Sequence, residues 1–225
     1  MSRSELQTRR MYNYFIEATE EVIRKEGTKN ITVRKVADLA GFTGSTIYNY
    51  FDEFSHLVFF ASMRLMEGYN EDLADYMSKA EDSLEKYFLA WDCFYKHSFL
   101  KPDIFNIIFL SDLGTNPNEL INRYYTIYEN ELNRLPEQLR FIVLENDLFS
   151  RNHSLLYDAV KDRNISQTQI DSLLSITILT WKGMLVSLIN NRVPSSPVEL
   201  AEQGGKYVRE LTLHFLNEST TVNEH

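Results

Sequence analysis

Cysteine occurs only once, at Cys93, in a chain of 225 residues. A single thiol excludes an intrachain disulfide framework and a cysteine-based zinc site, and Cys93 reads as a small buried side chain. Proline and glycine are scarce, five and eight residues, so long stretches are free to be helical. No alternating strand pattern and no internal repeat is visible. The longest apolar stretch, Ile176–Ile189, is interrupted by Lys182, so no membrane partner is expected. The opening MSRSELQTRR is polar and does not read as a secretion signal, which makes a cytoplasmic location the expectation. P-loop, GxGxxG, HExxH and GxSxG patterns are all missing. The histidines, His56, His97, His153, His214 and His225, are scattered. Catalysis is therefore not expected, and neither a cofactor nor a metal is called for.

The formal charge is −9, unevenly spread. Residues 1–50 are net +2 and the remainder is net −11. A weakly basic head on an acidic body suits a polyanion at the head, with the body repelled and the head steered toward it. An acidic body that serves only solubility has the same composition.

The periodicity predicts an all-α protein of about nine to eleven helices. A first helix over 5–26 turns Phe15, Ala18, Val22 and Ile23 inward and stops at Gly27. Two short helices follow within 32–51. A fourth spans 53–79, and a fifth, 82–99, carries Leu84, Phe88, Trp91 and Tyr95 at steps of four, three and four. A short sixth opens at Lys101-Pro102. Others are expected over 118–134, 137–149, 153–163, 166–191 and 198–216. The division expected is a head over 1–52, a helical effector-binding and dimerisation body over 53–216, and a flexible tail over 217–225.

The most informative stretch is TVRKVADLAGFTGSTIYNYF, residues 32–51. Val36, Ala37 and Ala40 form an apolar helical stripe. Gly41 ends that helix where a positive φ is favoured, and Thr43 stands where the next helix needs an N-cap. Ile47 and Phe51, four apart, fasten the second helix onto the first, and Ala37 permits a close crossing. Thr46, Tyr48, Asn49 and Tyr50 are left facing outward. This is a helix-turn-helix, whose second helix is suited to a DNA major groove.

The same residues resemble the DNA-binding head of TetR-family transcriptional regulators. The family's pattern appears here as Gly27, Thr32-Val33-Arg34-Lys35-Val36-Ala37, Ala40-Gly41-Phe42-Thr43 and Thr46-Ile47-Tyr48-Asn49-Tyr50-Phe51, within residues 8–60. The resemblance implies a three-helix head on a larger helical ligand-binding and dimerisation domain. It also implies a ligand-released repressor that binds a palindromic double-stranded operator as a homodimer. The dimer would form through the last two long helices, where Gly204 and Gly205 are tolerable if another helix packs closely. One departure stands out. The family usually has a lysine three residues after the closing Phe, meeting a DNA phosphate, whereas this chain has Asp52-Glu53-Phe54, and residues 43–51 hold no Lys or Arg. A helical adaptor that keeps the head fold but binds protein instead of DNA is the alternative.

The residues expected at DNA follow from the motif. Thr43, Gly44, Ser45 and Thr46 open the recognition helix, with Gly44 allowing close approach and the hydroxyls able to meet base edges. Tyr48, Asn49 and Tyr50 are placed for the backbone, and Thr32 and Lys35 are phosphate candidates. For the missing lysine, Arg9, Arg10 or Lys35 could compensate. A small-molecule effector is implied by the family. Its expected lining is Trp91, Phe94, Tyr95, Phe105, Phe109, Tyr124, Tyr128 and Trp181, although each of these aromatics could equally fill a core. Nearby acids (Asp92, Glu129, Glu145) would suit a lipophilic cation, whereas the aromatics alone would suit an acyl chain.

Overall fold

A computed structural model describes residues 3–163 and 165–221. In chain order its helices are α1 (Arg3–Glu26), α2 (Val33–Ala40), α3 (Gly44–Ile47), α4 (Phe54–Leu65), α5 (Glu67–Ser78), α6 (Ser83–Leu100) and α7 (Pro102–Phe109). Then follow α8 (Pro117–Ile127), α9 (Glu129–Arg134), α10 (Glu137–Leu144), α11 (Leu148–Val160), α12 (Gln167–Ile189) and α13 (Pro197–Thr221). Among the described residues there is no strand, and the all-α class holds.

Two helices expected to be continuous are each divided. The stretch 53–79 breaks at Met66, beside Gly68, where a missing Cβ weakens helix by about 1 kcal/mol. The stretch 118–134 breaks at Tyr128, which leaves helical geometry (φ −113, ψ 44). Its hydroxyl donates to Asn13 Oδ1 at 2.6 Å and its ring packs on Tyr124, so a tertiary anchor overrides local helicity. At the other end α13 continues past 216 to Thr221, into the expected tail. Residues 222–225 lie outside those described.

The chain forms two compact units. The first comprises the described residues up to Glu67 together with Asp103–Arg134, so α7, α8 and α9 join the head helices. Its core is aromatic. Tyr12, Phe51 and Phe60 meet one another, Phe51 and Phe60 edge to face at 5.4 Å, and Tyr124 of α8 adds a second edge to Phe60. An ion-pair cluster fastens α1 to α4. Glu20 is buried and receives Arg64 Nε at 3.0 Å and Arg24 at 2.8 Å. Burial still holds the Glu20 carboxyl above its ordinary 4.5, against the pull of both guanidiniums.

The second unit runs from Gly68 to Pro102 and again from Leu135 onward. Helix α6 is its centre, with α11, α12 and α13 packed around it. Tyr87, Trp91, Tyr95, Phe99 and Trp181 are fully buried there. Trp181 Nε1 donates to Ser98 Oγ at 3.0 Å, which satisfies the indole in the core. Helix α12 starts with the capping box Ser166/Gln169. Gly204 lies against the Tyr95 ring, where an added Cβ would come within 2.3 Å of Cε1, and a Cβ on Gly205 would meet Asp92 Oδ1 at 2.2 Å. Asp92 is in turn gripped by both Arg209 terminal nitrogens. The glycine pair thus serves the α6–α13 contact inside one chain. Gly204 and Gly205 therefore give no support to a dimer interface.

Candidate nucleic-acid interface

The head presents a small polar surface on a rigid base. Val36, Ala37, Ile47 and Phe51 are buried at 1% exposure or less, so α2 and α3 cannot slide on each other without opening the core. Thr32 caps α2 by accepting from the Lys35 amide at 3.3 Å. Gly41 takes the left-handed conformation (φ 78) that turns the chain out of α2. Gly44 sits tight against α2, and a Cβ there would meet Val33 Cγ1 at 3.0 Å. That contact gives Gly44 a packing role within the head, in addition to any approach to DNA.

The recognition segment is a single turn of α-helix, Gly44–Ile47, followed by a turn through Tyr50. Thr43 occupies the N-cap position, but its side chain makes no capping bond. Its hydroxyl instead pairs with Ser45 Oγ and Thr46 Oγ1, both at 2.9 Å. The three hydroxyls form one cluster able to donate and accept. Tyr48 is 51% exposed, and Asn49 is exposed beside it.

Two of the expected contact residues are differently engaged. Tyr50 is half-buried, with its ring against Tyr12 and Phe15, so it does not face outward as the sequence suggested. Lys35 Nζ is held by Glu26 Oε2 at 2.5 Å and the Asn30 carbonyl at 3.0 Å. To reach a phosphate it must leave both partners.

A residue far away in sequence completes this region. Arg123, on α8, donates to Tyr50 O at 2.5 Å, to Tyr12 Oη at 2.7 Å and to Asp52 Oδ2 at 3.0 Å. Tyr12 Oη itself donates to Tyr50 O at 2.8 Å. Nothing in the helix-turn-helix pattern points to Arg123, because its partners lie 71 or more positions earlier. Close by, buried His56 at the start of α4 bonds the Leu113 carbonyl at 3.1 Å.

The residues expected to line an effector site fall into two groups. Phe105, Phe109, Tyr124 and Tyr128 belong to the first unit, and Trp91, Phe94, Tyr95 and Trp181 to the second. All but Phe109 are buried. The Tyr95 hydroxyl is fully enclosed and makes no protein hydrogen bond among the described residues. A separate cleft of about 430 Å³ opens in the second unit between α5, α6 and α13, lined by Tyr76, Asp92, Lys96, Leu100, Ala201 and Arg209 among others. Sequence periodicity does not reveal it, because its lining comes from three helices that meet only in the fold.

Residues 15–53 match the family model described as bacterial regulatory proteins, tetR family. Three solved structures share the fold over most of the chain. One is the fatty acid degradation regulator FadR of Bacillus halodurans (18% identity, 88% of this chain and 93% of that one, TM-score 0.52). The second is Thermus thermophilus FadR, a TetR-family transcriptional repressor in complex with lauroyl-CoA (12%, 88% and 93%, TM-score 0.55). The third is Bacillus subtilis FadR with stearoyl-CoA (16%, 88% and 97%, TM-score 0.54). The match to the tetR-family model is confined to the head, and over the rest of the chain the likeness is one of fold. No curated protein sequence matches it significantly.

Just beyond the matched residues, the position where the resemblance leads one to expect lysine is filled by Phe54, half-buried in the first turn of α4. Asp52 and Glu53 before it are exposed. Of the basic residues that could compensate, Arg9 lies over the Tyr128 ring at 5.8 Å, Lys35 is paired with Glu26, and Arg10 is exposed. Arg123, on a helix outside the head sequence, contacts the end of the recognition turn and is balanced by Asp52.

Proposed function

We propose that this protein is a TetR-family regulator, a ligand-released repressor that binds a palindromic operator as a homodimer. The observation that carries the DNA reading is the hydroxyl cluster Thr43–Ser45–Thr46 beside exposed Tyr48, set on the immobile base of Ile47, Val36 and Ala37. Hydroxyls read base edges without needing a charge, and the Thr methyl complements thymine. Thr46 and Ser45 are assigned to bases, Tyr48 and Asn49 to the sugar-phosphate backbone, and Thr32 to a phosphate. Two such heads bind half-sites about 34–36 Å apart, or a multiple of that spacing.

The dimer reading rests on α12 and α13. Helix α12 contains an 18-residue window of mean hydropathy 1.6, only a third of it buried within the chain. Ile176, Leu179 and Val186 are 40%, 65% and 47% exposed, and Leu213 of α13 is 46% exposed. The three on α12 form a stripe at steps of three and four with Gly183, around whose absent Cβ there is open space. A second copy of α12 laid across Gly183 would cover that stripe. Apolar faces of this kind in soluble chains mark partner surfaces.

The effector site we assign to the second unit, at the 430 Å³ cleft between α5, α6 and α13. Its volume lies in the range of small-molecule pockets. The fold neighbours hold acyl-CoA in two cases, and a third, RolR, holds resorcinol (16% identity, 94% of each chain, TM-score 0.52). An amphiphile fits a lining that sets Tyr76, Leu100, Val198 and Ala201 beside the charged Asp92, Lys96, Glu202 and Arg209. Release requires that the effector bind the DNA-incompetent arrangement more tightly than the competent one.

The test is selection of duplexes from a random-sequence library, followed by fluorescence anisotropy on the selected and a scrambled duplex at two salt concentrations. Enrichment of an inverted repeat with salt-sensitive binding is the expected result. Failure to enrich any sequence refutes the DNA reading and favours the protein-binding adaptor, which the uncharged recognition turn would suit.

A further inference from the structure

We propose that Arg123 is the positioning residue of the recognition turn, a clamp reaching from α8 that sets the turn's angle and thereby the protein's selectivity for its DNA site. The proposal rests on the DNA reading above. Three observations carry it. First, the recognition turn has little holding it from within, being four helical residues and a hydrogen-bonded turn. A helix this short has no independent stability. Second, its exit is held by a hydrogen-bonded set centred on one guanidinium, with Tyr12 Oη also donating to the Tyr50 carbonyl. Arg123 spans the Tyr50 carbonyl, the Tyr12 hydroxyl and the Asp52 carboxylate, three acceptors on α1 and on either side of Phe51. Its plane also lies over the Tyr12 ring at 5.8 Å. A planar fork with several fixed donors suits this arrangement, whereas a lysine could satisfy only part of it. Third, the anchor is part of a seam between the 103–134 segment and the head. Tyr128 bonds Asn13 at 2.6 Å, His56 bonds the Leu113 carbonyl, and Tyr124 packs on Phe60.

Segment 103–134 is joined by the chain at both ends to helices of the second unit, α6 and α10. The recognition turn is therefore tied to that segment through a side chain, in addition to the packing of α4 on α8.

The arrangement separates a positioning role from a phosphate-binding one. Removing a side chain that holds a phosphate would weaken binding to every duplex alike and reduce the salt slope by about 1. Removing a positioning side chain would weaken binding to the selected duplex alone.

The experiment uses the full chain and the variants Arg123→Ala, Arg123→Lys and Tyr12→Phe, the last retaining the ring and removing only a hydroxyl. Anisotropy is read on the library-selected and scrambled duplexes across a salt series, and amide hydrogen exchange over residues 44–52 is read without DNA. Expected are at least a tenfold loss of affinity for the selected duplex in Arg123→Ala, with scrambled binding and salt slope unchanged, partial recovery in Arg123→Lys, and faster exchange confined to 44–52. If Arg123→Ala does not fold, the same pattern is expected, weaker, in Arg123→Lys and Tyr12→Phe. Equal losses on both duplexes with a shallower slope would make Arg123 a phosphate ligand and overturn the proposal, as would unchanged exchange over 44–52 in the folded variants. Faster exchange with no selected sequence for the wild-type protein would leave the clamp standing and refute the DNA reading instead.

Discussion

Replacing Gly204 with alanine tests whether the α13 glycines serve the chain's own core. The new Cβ would fall 2.3, 2.4 and 2.7 Å from Tyr95 Cε1, Cδ1 and Cζ, well inside any tolerated approach. Tyr95 is fully buried, with its ring against Trp91 and Phe99. Either the ring leaves its rotamer or α13 lifts from α6. Overpacking of this kind costs about 1–3 kcal/mol. Against it stands the better helix propensity of alanine, about 1 kcal/mol. An approach of 2.3 Å to a buried ring puts the overpacking cost at the upper end of its range, so the net expectation is a loss of about 2 kcal/mol, or about 4–8 °C in Tm for a chain of this size. Gly183→Ala is the control, because its Cβ enters open space within the chain, so only the propensity gain of about 1 kcal/mol applies to a protomer. The assays are thermal melts at several protein concentrations with sedimentation equilibrium, since a dimer's stability depends on concentration. Gly204→Ala should melt lower at every concentration with an unchanged association constant, and Gly183→Ala should weaken association if two copies cross there. A Gly204→Ala melt at or above wild type, or one that differs from wild type only in association, would refute the assignment of this glycine to the α6–α13 contact.

Other outcomes follow from the same geometry. Thr46→Ala should cost about 1–3 kcal/mol of discrimination at one base position, read as relaxed preference there in a repeated selection, with scrambled binding unaffected. Phe54→Lys should raise affinity for all duplexes and steepen the log–log salt slope by roughly 0.9 for each phosphate newly neutralised, measured by anisotropy; a wild-type slope beyond about −8 would contradict the view that phosphate ligands are missing. Burial holds the His97 imidazole below its ordinary 6.5, although Asp72 accepts from it at 2.8 Å and pulls the other way. A depressed folded pKa means that the stability it contributes is present above 6.5 and is lost as pH falls from there through the folded value. Urea melts between pH 7 and 5 should show that decline, and His97→Gln should flatten it; an unchanged slope in the variant would place the titration elsewhere.

Local chemistry and periodicity determined the helical class and the head motif. Scarce glycine and proline, the 3.6-residue stripes and Gly41 all act within a few residues, so each is legible from the string of letters alone, whereas the capping bond expected of Thr43 is absent and Thr32 makes one instead. The Ser166 cap and the outward Tyr48 are read the same way. What the tertiary structure decided depends on partners far apart in the chain. Tyr50 turns inward because Tyr12 and Phe15 of α1 receive its ring. Tyr128 breaks its helix because Asn13 holds its hydroxyl. Gly204 faces Tyr95 in its own chain, which no propensity could distinguish from a face kept for a second copy. The aromatics read as one effector lining divide between two units, since spacing along a helix says which side chains share a face and nothing of which helix they meet. Arg123 is the clearest instance. An arginine on an ordinary amphipathic helix carries no local signal, and its role exists only because folding brings the end of the recognition turn within reach of its five N–H donors.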